Sequence, residues 1–144
     1  MPALTGKTLS FMGRLDQPHS FTYIEDFGRA LAAVALRPDQ VDLWARAWHV
    51  PNAPALTQQV VAELLGQLLG RKLRAAGMGR WMLSLAGLFI APARESVEML
   101  YEFEAPFVCD GTALRQRLGL EPTPSVQALE HTLAWYRREQ NINA

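Results

Sequence analysis

The pattern of apolar and polar positions predicts a mostly helical chain with a few short strands. Alternation over Lys7–Met12 predicts one strand, and the aromatic and β-branched residues of Phe21–Ile24 predict a second extended piece. Apolar positions recur at helical spacing over residues 27–35, 58–69 and 124–139. Because no run of alternating strands and helices builds a complete dinucleotide-binding sheet, the predicted fold class is α+β.

Capping residues predict where several of the helices begin or end. Asp26, Thr57 and Thr123 each precede an apolar periodic segment and are predicted as N-caps. Gly70 and Gly119 follow such segments and are predicted to end them. The sequence therefore predicts helices that begin near these polar residues and end near these glycines.

Two segments are harder to interpret. Leu43–Val50, with Trp44 and Trp48 on one face, is predicted to be a strand. The apolar run Trp81–Pro92 is shorter than the roughly 20 residues that span a bilayer. We expect helices over residues 79–89 and 93–103. The first of these would pack in the core, line an apolar pocket or contact a second copy of the chain.

Composition excludes several classes of function. The 144 residues include fourteen acidic and fourteen basic side chains, so no net charge favours nucleic acid or an anionic membrane. Cys109 is the only cysteine, which excludes an internal disulfide and favours a reducing, cytoplasmic location. No metal site is predicted, because no ligand-like spacing connects the candidate ligands His19, His49, Cys109 and His131.

Short motifs, in a consistent order along the whole chain, connect it to a known family. They are His19, Phe21, Tyr23 and Asp26; Pro51-Asn52; Asp110, Leu118-Gly119 and Pro122; and Thr132 with Trp135-Tyr136. In this order and spacing they resemble the C-terminal half of an extended short-chain dehydrogenase/reductase of the NAD-dependent epimerase/dehydratase family. The resemblance implies the C-terminal part of a Rossmann-type enzyme that uses NAD or NADP and a small-molecule substrate.

Two features of that family are missing from this sequence. One is the glycine-rich dinucleotide loop, and the other is the Tyr-x-x-x-Lys pair, since the residues four positions after the three tyrosines are Phe27, Ala105 and Gln140. No catalytic, cofactor-binding or metal-binding residue is therefore predicted. Residues 1–144 are expected to form one substrate-binding region. Residues 1–55 would be remnants of the sheet lobe, and residues 56–144 a helical substrate lobe with a closing tail.

The resemblance implies two substrate-binding residues, His19 and Tyr23. At the position of His19, family members that take nucleotide sugars often have an arginine that contacts the substrate phosphates. A histidine cannot form the same two-pronged contact, and a locally hydrogen-bonded loop histidine is the alternative interpretation. Tyr23 and Asp26 belong to the same signature, and the role expected of both is mainly architectural.

Two hypotheses about function follow. In the first, the chain is the substrate-binding portion of an NAD(P)-dependent epimerase, dehydratase or reductase and is inactive alone. In the second, it is a standalone, non-catalytic binding or assembly module derived from that family. Under both hypotheses we expect the chain to self-associate. The apolar residues between Phe21 and Val34 would face a sheet that this chain does not encode, which leaves an apolar surface exposed.

Overall fold

The structure is a computed structural model that describes residues 1–86, 88 and 91–139. Four short strands and seven α-helices are present in this part of the chain, together with a 3₁₀ helix over Met99–Phe103. The strands are β1 (Leu9–Met12), β2 (Pro18–His19), β3 (Leu56–Thr57) and β4 (Ala75–Met78). The helices are α1 (Ile24–Ala35), α2 (Val41–Trp44), α3 (Gln58–Leu68), α4 (Arg80–Ala86), α5 (Ala91–Glu98), α6 (Thr112–Leu118) and α7 (Ser125–Glu139). The predicted α+β class is confirmed.

The chain folds into two compact units that alternate along the sequence. The first unit takes in residues 1–19, 56–107 and 129 onwards, and the second takes in residues 20–55 and 108–128. The chain passes from the second unit to the first between residues 55 and 56.

The first unit is built around a small apolar core and a parallel strand pair. Strand β1 lies parallel to β4, with Leu9 opposite Ala75 and Met12 opposite Met78. Just beyond β1, Gly13 has a φ of +67°, and an added Cβ would lie 2.7 Å from the carbonyl oxygen of Phe103. Only glycine fits this close approach. The buried core residues are Ala3, Leu9, Ala62, Leu65 and Leu133.

Helix α3 has the ends that the sequence predicted. The Thr57 hydroxyl accepts a hydrogen bond from the backbone N–H of Val60 at 3.1 Å, as an N-cap does. At the other end Gly70 has a φ of +63°, and the N–H of Arg71 donates to the carbonyl of Gly66 at 3.0 Å. This left-handed glycine and the bond from the following residue form a Schellman motif, which satisfies carbonyls left free at the helix end.

The second unit has fewer buried apolar side chains and more polar links. Ala30, Leu43, Pro51 and Leu114 are its buried apolar residues among those described. Its two chain segments are joined by an ion pair between Arg117 and Asp42, with nitrogen–oxygen distances of 3.1 and 3.2 Å. Since this pair is solvent-exposed, it adds little to stability.

The predicted N-cap of helix α1 was wrong. The helix starts at Ile24 and its N-cap is Tyr23, which has an extended backbone conformation. Asp26 lies in the first turn instead, where a carboxylate is favoured by the helix dipole. Its side chain does not cap the helix; it accepts hydrogen bonds from Thr123, far away in the sequence.

The predicted strand over Leu43–Val50 was also wrong. Leu43 and Trp44 lie in the short helix α2, and no described strand pairs with residues 45–50. The spacing of four between Trp44 and Trp48 fits both a strand face and a helix face. Both indole N–H groups donate to backbone carbonyls, that of Trp44 to Arg37 and that of Trp48 to Leu43, so the aromatic side chains fix a turn.

Helix α4 buries little of its apolar surface. Leu83 is buried, whereas Trp81, Met82 and Leu85 are exposed, as is Leu88 just beyond the helix. The predicted end of this helix, from Gly87 to Phe89, falls partly outside the described residues, since neither of these two is described. Within the part of the chain that is described, no helix is long and apolar enough to cross a membrane.

A substitution of Leu133, on helix α7, tests the packing of the first unit. Leu133→Ala should lower the free energy of unfolding by about 2–5 kcal/mol, because it leaves a cavity among buried side chains. Urea denaturation of the two proteins measures the difference. Leu36→Ala is the matched control, since Leu36 is 81% exposed and its truncation should change stability by less than about 0.5 kcal/mol. Equal midpoints for Leu133→Ala and the wild type would show that α7 is not part of the core.

Candidate functional site

The second unit contains an open groove of about 470 Å³ beside the start of helix α1. Helix α1 contributes Ile24 and Phe27 because the two lie one turn apart and face the same side. The groove is lined by Thr22, Ile24, Phe27, Trp48, His49, Val50, Asn52 and Cys109. Its volume lies in the range of about 300–1,000 Å³ that is usual for small-molecule sites.

The chemistry of this groove suits an uncharged ligand. None of the described residues that line it is Asp, Glu, Lys or Arg, so a charged ligand would lose water without gaining an ion pair. Thr22, His49 and Asn52 supply hydrogen-bonding groups beside the apolar side chains. The groove can therefore hold a mainly apolar molecule and orient it through a few polar contacts.

Trp48 is held in place from two sides. Its indole N–H donates to the carbonyl of Leu43 at 3.0 Å. The guanidinium carbon of Arg46 lies 4.0 Å from the centre of a Trp48 ring, at the distance of a cation–π contact. Together these contacts fix the orientation of the largest aromatic surface in the groove.

His19 lies in the first unit and does not line the groove. It is buried, and its ring nitrogens Nδ1 and Nε2 lie 3.0 Å from the carbonyl oxygen of Gln17 and 2.8 Å from that of Glu102. The ring also stacks on Phe103, with 5.6 Å between ring centres. Both nitrogens face main-chain oxygens, so a substrate contact through this ring would have to replace one of these interactions.

Tyr23 lies in the second unit and is half-buried. Burial raises the pKa of its phenol above the ordinary value of 10.0, and a hydrogen bond with the Glu25 carboxylate raises it further. A phenol with a raised pKa stays protonated at neutral pH. This environment is the reverse of the one that activates a tyrosine as a base.

Asp26 forms the densest polar cluster of the second unit. Its carboxylate accepts hydrogen bonds from both the backbone N–H and the hydroxyl of Thr123, each at 2.7 Å, and pairs with Arg29. Arg29 also donates to the carbonyl of Glu121 at 3.3 Å. The cluster joins helix α1 to the segment that precedes α7, which is an architectural role.

The pKa of Asp26 reflects opposing effects. Burial by itself raises it, but the hydrogen bonds from Thr123 and the charge of Arg29 outweigh burial, so the pKa lies below its ordinary value of 3.8. Asp26 is therefore ionised at neutral pH, in the form that accepts both Thr123 bonds.

Asp110 orders the start of helix α6. Its carboxylate accepts the backbone N–H of Thr112 at 2.9 Å, and this bond lowers the pKa of Asp110. Next to it, Cys109 is half-buried, and its N–H donates to the Ser20 hydroxyl at 3.0 Å. Across residues 1–86, 88 and 91–139, no cluster of three or more His, Cys, Asp or Glu side chains could hold a metal ion.

The groove residues were not predicted as a site from the sequence. Val50 and Asn52 flank a motif residue, Pro51, and Trp48 lies just before it, which was the only available signal. Nothing in the sequence spacing connects these residues with Phe27 or with Cys109, because the chain segments that carry them meet only on folding.

Comparison with solved structures finds the same fold within two longer chains. The model matches the solved structure of gox2253 with a TM-score of 0.65 and 16% identity, over 99% of this chain and 43% of that one. It also matches the UDP-glucuronic acid 4-epimerase from Bacillus cereus in complex with NAD, with a TM-score of 0.54 and 15% identity, over 90% of this chain and 34% of that one. The chain thus spans less than half the length of either structure. Compared with protein-family models and with curated proteins, the sequence gives no match. At these identities the likeness is one of fold: this chain folds like part of an NAD-bound epimerase.

The Asp26 cluster makes stability depend on pH. The pKa of Asp26 is lower in the folded protein than its ordinary value of 3.8. The stabilisation by this cluster is therefore complete above pH 3.8 and is lost as the pH falls through the pKa that Asp26 has in the folded protein. Asp26→Asn should lower the free energy of unfolding by about 1–3 kcal/mol at neutral pH. The difference from the wild type should narrow towards pH about 3, as urea midpoints at each pH would measure.

Asp16→Asn is the matched control for this experiment. The hydrogen bond with Arg14 lowers the pKa of Asp16 to about 2, but both side chains are exposed, so no change of midpoint is expected. Equal effects of the two substitutions, or a constant difference between Asp26→Asn and the wild type at every pH, would contradict the role given to Asp26.

Proposed function

We propose that this chain is the substrate-binding portion of an NAD(P)-dependent epimerase, dehydratase or reductase. The observation that carries the proposal is the match over 90% of this chain to about a third of an NAD-bound epimerase. A separate nucleotide-binding part of the enzyme would supply the dinucleotide-binding loop and the Tyr-x-x-x-Lys pair. The reaction would be oxidation and reduction at a carbon that bears oxygen, and this chain would hold the substrate.

The groove beside α1 supports a substrate-holding role. It is concave, mostly apolar and bordered by hydrogen-bonding groups. Neither Tyr23, with its raised pKa, nor any other tyrosine in the sequence has a lysine four positions later, so the reacting proton would be transferred elsewhere. In this proposal the chain binds and orients the substrate and does not catalyse the reaction alone.

A second candidate is a standalone binding or assembly module derived from such an enzyme. The observation that favours it is the exposed apolar face of helix α1, which is suited to contact another protein surface. The coding sequence upstream of Met1 distinguishes the two. An in-frame glycine-rich strand–helix–strand unit with a Tyr-x-x-x-Lys motif would favour the enzyme portion, whereas a stop codon would favour the module.

Cofactor titration tests where the dinucleotide site lies. The isolated chain should give no measurable binding heat with NAD(H) or NADP(H), because the sequence offers no glycine-rich turn to bring backbone N–H groups to the pyrophosphate. Isothermal titration calorimetry measures this with each cofactor. A dissociation constant in the low micromolar range would contradict the proposal that another part of the enzyme holds the dinucleotide.

Tryptophan fluorescence tests the groove as the substrate site. A panel of small uncharged carbonyl compounds would be titrated into the wild type, Trp48→Phe and Trp81→Phe. A ligand that occupies the groove should quench emission in the wild type and in Trp81→Phe, and much less in Trp48→Phe, because only Trp48 of this pair lines the groove. Trp81 is the matched control, as an exposed tryptophan in the other unit. Quenching that survives in Trp48→Phe and disappears in Trp81→Phe would place the ligand elsewhere.

A further inference from the structure

Two aromatic side chains from different segments line the groove of the second unit. Phe27 lies on helix α1, and Trp48 lies in the segment that follows α2. Among the described lining residues, those that form ordinary hydrogen bonds through their side chains are Thr22, His49 and Asn52. The groove therefore combines aromatic surface with few hydrogen-bonding groups.

Trp48 offers a flat surface whose orientation is fixed. Its indole N–H donates to the carbonyl of Leu43 at 3.0 Å, and the guanidinium carbon of Arg46 lies 4.0 Å from the centre of a Trp48 ring. Because Arg46 covers one face of the indole, a ligand that stacks on Trp48 would lie on the other face. The cation also draws π electron density towards itself, which lowers the repulsion that a second ring meets on that other face.

We propose that the groove holds a planar, uncharged ring stacked on the face of Trp48 that Arg46 leaves open. The inference rests on the proposed function, since it names the class of substrate that the substrate-binding portion would hold. A cavity of about 150 Å³ is enough for one benzene ring. At about 470 Å³, the groove has room for a ring with substituents.

Other kinds of ligand fit the groove less well. A sugar carries hydroxyl groups on most of its carbon atoms, and the few hydrogen-bonding groups here would leave several of them unpaired when they lose water. A saturated ring is puckered, so it touches a flat indole through only some of its atoms, whereas a planar ring touches it over a whole face. A charged ligand finds no ion pair, since no Asp, Glu, Lys or Arg is among the described lining residues.

Benzyl alcohol and cyclohexylmethanol are a matched pair of probes. They share the hydroxymethyl group and the number of carbon atoms, and they differ in whether the ring is planar. Proton–nitrogen correlation NMR titrations of the wild type, Trp48→Leu, Arg46→Gln and Trp81→Leu give a dissociation constant for each probe. Comparing the ratio of the two constants between proteins isolates stacking on Trp48, because the transfer of each probe out of water is common to all of them.

The preference for benzyl alcohol over cyclohexylmethanol should fall by roughly threefold to tenfold in Trp48→Leu, which is the contribution of one stacked ring pair. Arg46→Gln should reduce it by a smaller factor, since the indole then loses its cation. Trp81→Leu should leave it unchanged, because Trp81 is exposed in the other unit. Thermal melts confirm that each variant is folded. In the wild type, the ring current of benzyl alcohol should shift the indole N–H signal of Trp48 and not that of Trp81.

An equal preference in the wild type and in Trp48→Leu, or no shift of the Trp48 signal at the highest soluble concentration of benzyl alcohol, would overturn the proposal. The wild-type signal decides if Trp48→Leu fails to fold. Failure of the proposed function is a separate result. A stop codon upstream of Met1 would count against the enzyme portion without touching the ring preference, and loss of the ring preference would leave the enzyme portion in place.

Discussion

The second unit depends on one buried carboxylate. Asp26 is nearly buried, and an ionised carboxylate at such a position costs free energy unless hydrogen bonds replace its water. Thr123 provides two of these bonds and Arg29 provides an opposite charge. Because the unit has few buried apolar side chains, this cluster is a main link between its two chain segments. It also turns helix α1 so that Asp26 faces inward.

That orientation of α1 has two consequences. Ile24 and Phe27 come to line the groove, where their apolar surface lies beside Trp48 and Val50. Leu31 remains exposed on the same side of the helix. One polar cluster therefore sets both the position of the candidate substrate site and the exposure of Leu31. The first unit is stabilised differently, by apolar packing around Leu65 and Leu133 and by the parallel pairing of β1 with β4.

The chain has the fold of part of a larger, NAD-bound epimerase, and its sequence contains neither a glycine-rich dinucleotide loop nor a Tyr-x-x-x-Lys pair. The match to an NAD-bound epimerase covers nearly all of this chain and about a third of the epimerase. The tyrosine of the motif has a raised pKa, and the buried His19 faces main-chain oxygens on both ring nitrogens. The groove of the second unit has no charged lining residue among those described, so its geometry suits an uncharged molecule.

The sequence by itself determined the elements whose signals are local. Thr57 and Gly70 marked the ends of α3, Gly119 marked the end of α6, and the α+β class followed from periodicity. Such signals are local because capping bonds join residues only a few positions apart. The tertiary structure decided the remainder. A spacing of four between two tryptophans is compatible with both strand and helix, and only the long-range bonds of Asp26 show that it faces Thr123 and does not cap α1. The groove could not be predicted from the sequence either, because its lining residues come from segments that meet only when the chain folds.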